Sequence, residues 1–134
     1  MKKILIIDDE KTITTALSFG LKKLGHEIVE AENPMDVLTK LTENSFDLLI
    51  LDYNLTFLSG NDIIKLLQNN NIQIPIVIIS EHKAEEISNS TTVKSSSHIY
   101  ISKDQTIAKI INQIKDILVI TNYNHYQGGS YAES

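Results

Sequence analysis

The sequence has no cysteine. Disulfides, thiolate metal sites and cysteine nucleophiles are all excluded, and the absence agrees with a reducing compartment. Proline occurs only twice, and both copies stand where an element would begin. No apolar stretch is long enough to span a bilayer. The opening Met1-Lys2-Lys3-Ile4-Leu5-Ile6-Ile7 faintly imitates a signal peptide, but Asp8-Asp9-Glu10 closes it early and no cleavage site follows. A basic surplus is also missing. Lys and Arg number 12 against 17 Asp and Glu, a net charge of −5, which argues against nucleic acid as a partner. The chain reads as a soluble cytoplasmic protein with no membrane association. Its 134 residues suit one domain, able to bury roughly two-thirds of its unfolded surface.

What is present is a set of four short apolar runs, each ending in a residue able to handle a phosphoryl group. Lys3-Ile4-Leu5-Ile6-Ile7 leads into Asp8-Asp9, and Asp47-Leu48-Leu49-Ile50-Leu51 into Asp52. Pro75-Ile76-Val77-Ile78-Ile79 leads into Ser80, and Ile99-Tyr100-Ile101-Ser102 into Lys103. Between them run helix-like segments. Ile13, Leu17, Leu21 and Leu24 repeat at helical spacing, with Gly25 as a stop. Glu27-Ile28-Val29-Glu30-Ala31 alternates as a strand nearer an edge. Asn33-Pro34 opens a second helix whose buried stripe is Val37, Leu38 and Leu41. Ile63, Ile64, Leu66 and Leu67 mark a third helix, broken by Asn69-Asn70-Asn71. Residues 84 to 94 form a weakly patterned fourth. Asp104 stands where it would cap a last helix carrying Ile107, Ile110, Ile111, Ile114, Ile117 and Leu118.

This is βα repeated five times, an α/β pattern that implies a mainly parallel sheet with helices on both faces. Ligands in such folds sit outside the carboxyl ends of the strands, so function is expected after residues 7, 51, 79 and 102. A domain over 1–120 and a polar tail or linker over 121–134 are expected.

Asp8, Asp9 and Asp52 would converge at that edge. Magnesium takes hard oxygen ligands, usually one or two carboxylates; the plainer alternative for Asp8 and Asp9 is a solvated helix start. Asp52 closing a buried strand resists ionisation beside other carboxylates unless a cation compensates, and an ionised Asp can attack phosphorus to give an acyl phosphate. Ser80 and Lys103 are the electrostatic partners phosphoryl transfer needs, although a strand-end Ser or Lys by itself is commonly a turn former or a solvated group. Spacing leaves Tyr100 either a core ring or a partly exposed switch.

Together these residues resemble the response regulator receiver domain of two-component signalling, the CheY-like family. The resemblance rests on Asp8-Asp9-Glu10, on Asp52 with Gly60 eight residues later, on Ser80, and on Tyr100 with Lys103, and it covers residues 1 to about 119. It implies a flavodoxin-like (βα)5 three-layer sandwich with five parallel strands in the order 2-1-3-4-5. It implies that Asp52 is the phosphoacceptor, taking its phosphoryl group from the phosphohistidine of a sensor histidine kinase or from a phosphotransfer protein. Magnesium would be held by Asp8, Asp9, Asp52 and the backbone carbonyl of Asn54. Lys103 would pair with the phosphoryl oxygens. Ser80 and Tyr100 would be the switch pair, altering the face of the fourth helix, fifth strand and fifth helix that meets a downstream target or output domain. The only catalysis implied is of the protein's own phosphorylation and dephosphorylation. His82 lies where the family tunes phosphoryl lifetime.

The chain departs from the family pattern at several positions. Asp104 replaces the usual Pro after Lys103, which is joined by a cis bond; for a non-proline residue that bond costs about 2.5–4 kcal/mol, so the loop is expected to be trans or strained. Glu81 replaces a small residue after Ser80 and would repel an incoming phosphodonor. Thr56 and Ser96-Ser97 replace a usual Pro and Gly-Ala. Two other readings compete. One is a degenerate receiver that binds partners without being phosphorylated. The other is a phosphatase of the haloacid dehalogenase type, which Asn54 disfavours because that motif needs an acid there. No recognisable effector follows residue 120, so the chain reads either as a stand-alone receiver or as the first part of a longer regulator. Pairing of two copies through the fifth-helix side is left open.

Overall fold

Nearly continuous apolar side chains make strands covered on both faces, and three such runs form the middle of one sheet. They are β1 (Lys3–Ile7), β3 (Leu48–Asp52) and β4 (Ile76–Ser80). The flanking strands are β2 (Glu27–Ala31), where only Ala31 is buried, and β5 (His98–Ser102). The computed structural model describes residues 1–8, 11–53, 60–81 and 98–119. The five strands are all parallel in the order β2-β1-β3-β4-β5. The expected fold is therefore the observed one. The expected fourth helix, 84 to 94, and the tail from 121 lie outside the described residues.

Alternation along each strand sends successive side chains to opposite faces, which gives two cores. On one face Ile4, Ile6, Leu48, Ile50, Val77, Ile79 and Ile101 pack under α1 (Lys11–Lys23) and a last helix over residues 107–119. On the other, Leu5, Ile7, Leu49, Leu51, Ile76 and Ile78 pack under α2 (Pro34–Glu43) and α3 (Gly60–Asn69).

Helix ends follow the local sequence. Gly25, at φ 93°, stops α1: its N–H donates to the Lys22 carbonyl and that of His26 to Leu21, the paired bonds of a Schellman motif. Asn71, at φ 55°, ends α3 in the same way, with its own N–H on Gln68 and that of Ile72 on Leu67. Asn33 caps α2 through Oδ1, which accepts the Asp36 N–H at 2.8 Å. The last helix differs from expectation. Thr106, not Asp104, is its cap: Thr106 Oγ1 accepts the Lys109 N–H at 3.2 Å, and the Thr106 carbonyl accepts that of Ile110 at 3.1 Å. Asp104 lies too far ahead of the first turn to serve. The third strand also starts and ends one residue later than expected. Asp47 turns its carboxylate to the Lys3 N–H at 2.8 Å, and the pairing continues through Asp52.

Candidate functional site

The register decides which strand-end residues meet. In β1 and β3, Ile7 pairs with Leu51, so the next residues, Asp8 and Asp52, stand side by side on neighbouring strands about 4.8 Å apart. Each continues a buried row on the same face of the sheet, Ile4–Ile6–Asp8 and Leu48–Ile50–Asp52. Both carboxylates are only 5% exposed. Across the other edge of β3, Asp52 pairs with Ile79, and the Tyr53 N–H donates to the Ile79 carbonyl at 3.0 Å. Ser80 follows directly and is buried.

Lys103 completes the set. Its backbone N–H donates to the Ser80 carbonyl at 2.8 Å, continuing the β4–β5 ladder one step past the Ser80–Ser102 pair. Its ammonium reaches back over β4 to Asp52, with Nζ 2.6 Å from Oδ2 and the two side chains 8% and 5% exposed. Four residues distant in sequence thus stand at the carboxyl edge of the three central strands and the last one, with the Lys103 and Asp52 side chains in direct contact.

Tyr100 pairs with Ile78 and is half-buried against the α2–α3 core. By alternation Ser80 belongs to the same row as Ile78 and Ile76, so Tyr100 and Ser80 share a face of the sheet. Glu81 and Asp104 are both exposed at the rim. No peptide bond is cis among the described residues, so the Lys103–Asp104 bond is trans. Asp9, Asn54 and His82, also named from the sequence, lie outside the described residues.

Two buried carboxylates beside one ammonium, at a strand edge, offer hard oxygen donors of the kind magnesium takes. Among the described residues no group of three or more acids or histidines gathers; the third expected acid is Asp9. The donor set therefore fits a magnesium ion that keeps most of its waters. One group of contacts has no signal in the sequence. Gln105 Nε2 donates to the Ser102 carbonyl and to Gln113 Oε1, both at 2.9 Å. Only helical phase, which brings Gln113 over the loop, could have pointed to it.

Residues 4–115 match the response regulator receiver domain. The chain belongs to that family. Receiver domains are signalling modules of two-component systems. This receiver is 31% identical over 126 residues to the chemotaxis protein CheY1 of Helicobacter pylori, covering 90% of this chain and 98% of that one. It is 29% identical over 117 residues to the alkaline phosphatase synthesis transcriptional regulatory protein PhoP of Bacillus subtilis, covering 87% of this chain and 48% of that one. The chain thus spans about half the length of the transcriptional regulators it matches. Among solved structures, the Francisella response regulator 1452 receiver domain superposes with a TM-score of 0.75 at 23% identity, over 90% of this receiver and 99% of that chain. The response regulator TrrA of Thermotoga maritima, solved in complex with Mg(2+)-BeF, gives 0.69 at 26% identity, over 87% and 98%. Among the described residues, no helix is long and apolar enough to cross a membrane.

Proposed function

We propose that this receiver accepts a phosphoryl group on Asp52 from the phosphohistidine of a sensor histidine kinase or phosphotransfer protein, and changes its protein partners in consequence. The observation that carries the reading is the Lys103 ammonium held 2.6 Å from Asp52 Oδ2. It sets a cation beside a buried carboxylate, where phosphoryl oxygens would arrive.

An Asp52 oxygen attacks phosphorus, the P–N bond to the donor imidazole breaks, and an acyl phosphate forms. The imidazole nitrogen leaves with the bonding pair. Lys103 then meets the phosphoryl oxygens, and the Ser80 hydroxyl donates to one of them. Asp8 and Asp52, with Asp9 and the Asn54 carbonyl, would hold magnesium, which when bound neutralises charge on the phosphoryl oxygens. Movement of Ser80 leaves room behind it for Tyr100, which shares its face of the sheet, to turn inward. The surface altered is that of strand β5, the helix at 107–119 and the segment between β4 and β5; a target protein or an output domain would read it. Glu81 and His82 modulate access and lifetime. A cytoplasmic site of action follows from the kinase partner.

The test is incubation with magnesium and acetyl phosphate, followed by assay for acid-stable, base-labile phosphate. One phosphate per chain is expected, and none in Asp52→Asn. An unlabelled parent protein would leave a phosphorylation-independent interaction module as the reading. Size-exclusion chromatography with and without beryllofluoride reads whether two copies pair on activation.

A further inference from the structure

The peptide unit joining Ser102 to Lys103 is held at both of its polar ends. Its N–H donates to the Ser80 carbonyl at 2.8 Å. Its C=O accepts one N–H of the Gln105 side-chain amide at 2.9 Å. The other N–H of that amide goes to Gln113 Oε1, also at 2.9 Å, on the helix at 107–119. The following peptide is held as well, because the Asp104 N–H donates to Ser102 Oγ at 3.0 Å. A peptide unit fixed at both ends fixes the dihedrals beside it, and so the direction in which the Lys103 side chain leaves the backbone. That direction matters because Lys103 must reach across β4 to Asp52 on a chain with four rotatable bonds.

We infer that Gln105 is a positioning residue for Lys103. Its amide forks between the loop carbonyl and Gln113, and so aims the ammonium at Asp52. With Asp104 after Lys103 this loop lacks the constraint of a proline ring, and the fork supplies a constraint in its place. The inference rests on the reading that Lys103 serves phosphoryl transfer to Asp52. The geometry of the ammonium can nonetheless be read without any phosphoryl group.

The variant is Gln105→Met, which keeps length and bulk but has no N–H to donate. Two measurements are made on the full chain. With magnesium and acetyl phosphate, the rate constant of phosphorylation is expected to fall about three- to ten-fold, the span of one net side-chain hydrogen bond. By NMR without any donor, the Lys103 ε-ammonium protons are expected to exchange slowly enough to be seen in the parent. In Gln105→Met their signal should weaken or vanish while the amide spectrum of the sheet is retained. Gln113→Ala, which removes one arm of the fork, should give a smaller change in the same direction. An unchanged ammonium signal overturns the inference, whether the variant is phosphorylated at the parent rate or is merely less stable. If the parent takes up no phosphoryl group, the phosphorylation reading fails and the ammonium signal alone decides the role of Gln105.

Discussion

At the scale of single residues, the site is a problem in charge compensation. Asp8 and Asp52 are buried neighbours, and two like charges in that position repel unless a cation is close. Lys103 supplies one such cation through a buried, short ion pair. An ion pair of this kind is weak evidence for stability, because desolvation offsets much of the attraction; its place at a strand edge supports the proposed phosphoryl transfer. The exposed rim is governed by weaker, screened forces. Glu81 is exposed immediately after Ser80, and on the proposed reading its carboxylate would oppose an incoming dianion. Glu81→Ala should therefore speed labelling by acetyl phosphate about two- to five-fold at low ionic strength, with the advantage shrinking toward 1 M salt. A less negative donor such as phosphoramidate should show a smaller gain. If acetyl phosphate labels parent and variant at equal rates in low salt, Glu81 plays no electrostatic part.

At the scale of elements, α1 and the helix at 107–119 meet at Gly20. A Cβ built there would run into the Cδ1 methyl of Ile111. That methyl is the end of a flexible, half-buried side chain, so it can move aside for one carbon. Gly20→Ala gains about 1 kcal/mol of helix propensity against that adjustment and should change stability by less than about 1 kcal/mol. Gly20→Leu adds a branched group the interface has no room for and should cost roughly 1–3 kcal/mol. Urea denaturation of the two variants checks the difference. A leucine variant as stable as the alanine one would mean the helices part freely. The elements themselves were largely legible, because their signals are local. Apolar runs of five, Gly25 after a helical stripe and Asn33 before Pro34 each specify backbone by short-range sterics and hydrogen bonding. That Asp8, Asp52, Ser80 and Lys103 share one edge was legible for a different reason: a parallel sheet puts every carboxyl end there. The parts that could not be read depend on phase and competition. Asp104 and Thr106 both suit a cap, and only the true start of the last helix selects Thr106. The Gln105–Gln113 contact spans eight residues, from a loop to a helix face.

At the scale of the whole molecule, the edge of the sheet opposite the site carries a titratable joint. His26, between α1 and β2, accepts the Lys2 N–H on Nδ1 at 3.1 Å, and the Glu27 N–H donates to the Lys2 carbonyl at 2.9 Å. These bonds tie the start of β1 to the start of β2. Burial lowers the His26 pKa below its ordinary 6.5, and the positive charges of the amino terminus and Lys2 lower it further; Asp47 opposes them. Protonation would also remove the lone pair that accepts the Lys2 N–H. In the unfolded chain His26 recovers its ordinary pKa. Between the two values the unfolded state binds more protons, so stability rises with pH there. The contribution is complete above about pH 6.5 and is lost as pH falls through the folded value. Other acids and histidines titrate too, so a parent protein alone cannot isolate the effect. His26→Gln does so, because glutamine keeps a hydrogen-bond acceptor and does not titrate. Urea midpoints measured from pH 7.5 down to 5 should fall more steeply for the parent than for the variant. Parallel pH profiles would mean that His26 is equally protonated in the folded and unfolded chains, and that the joint between β1 and β2 does not depend on its neutral ring.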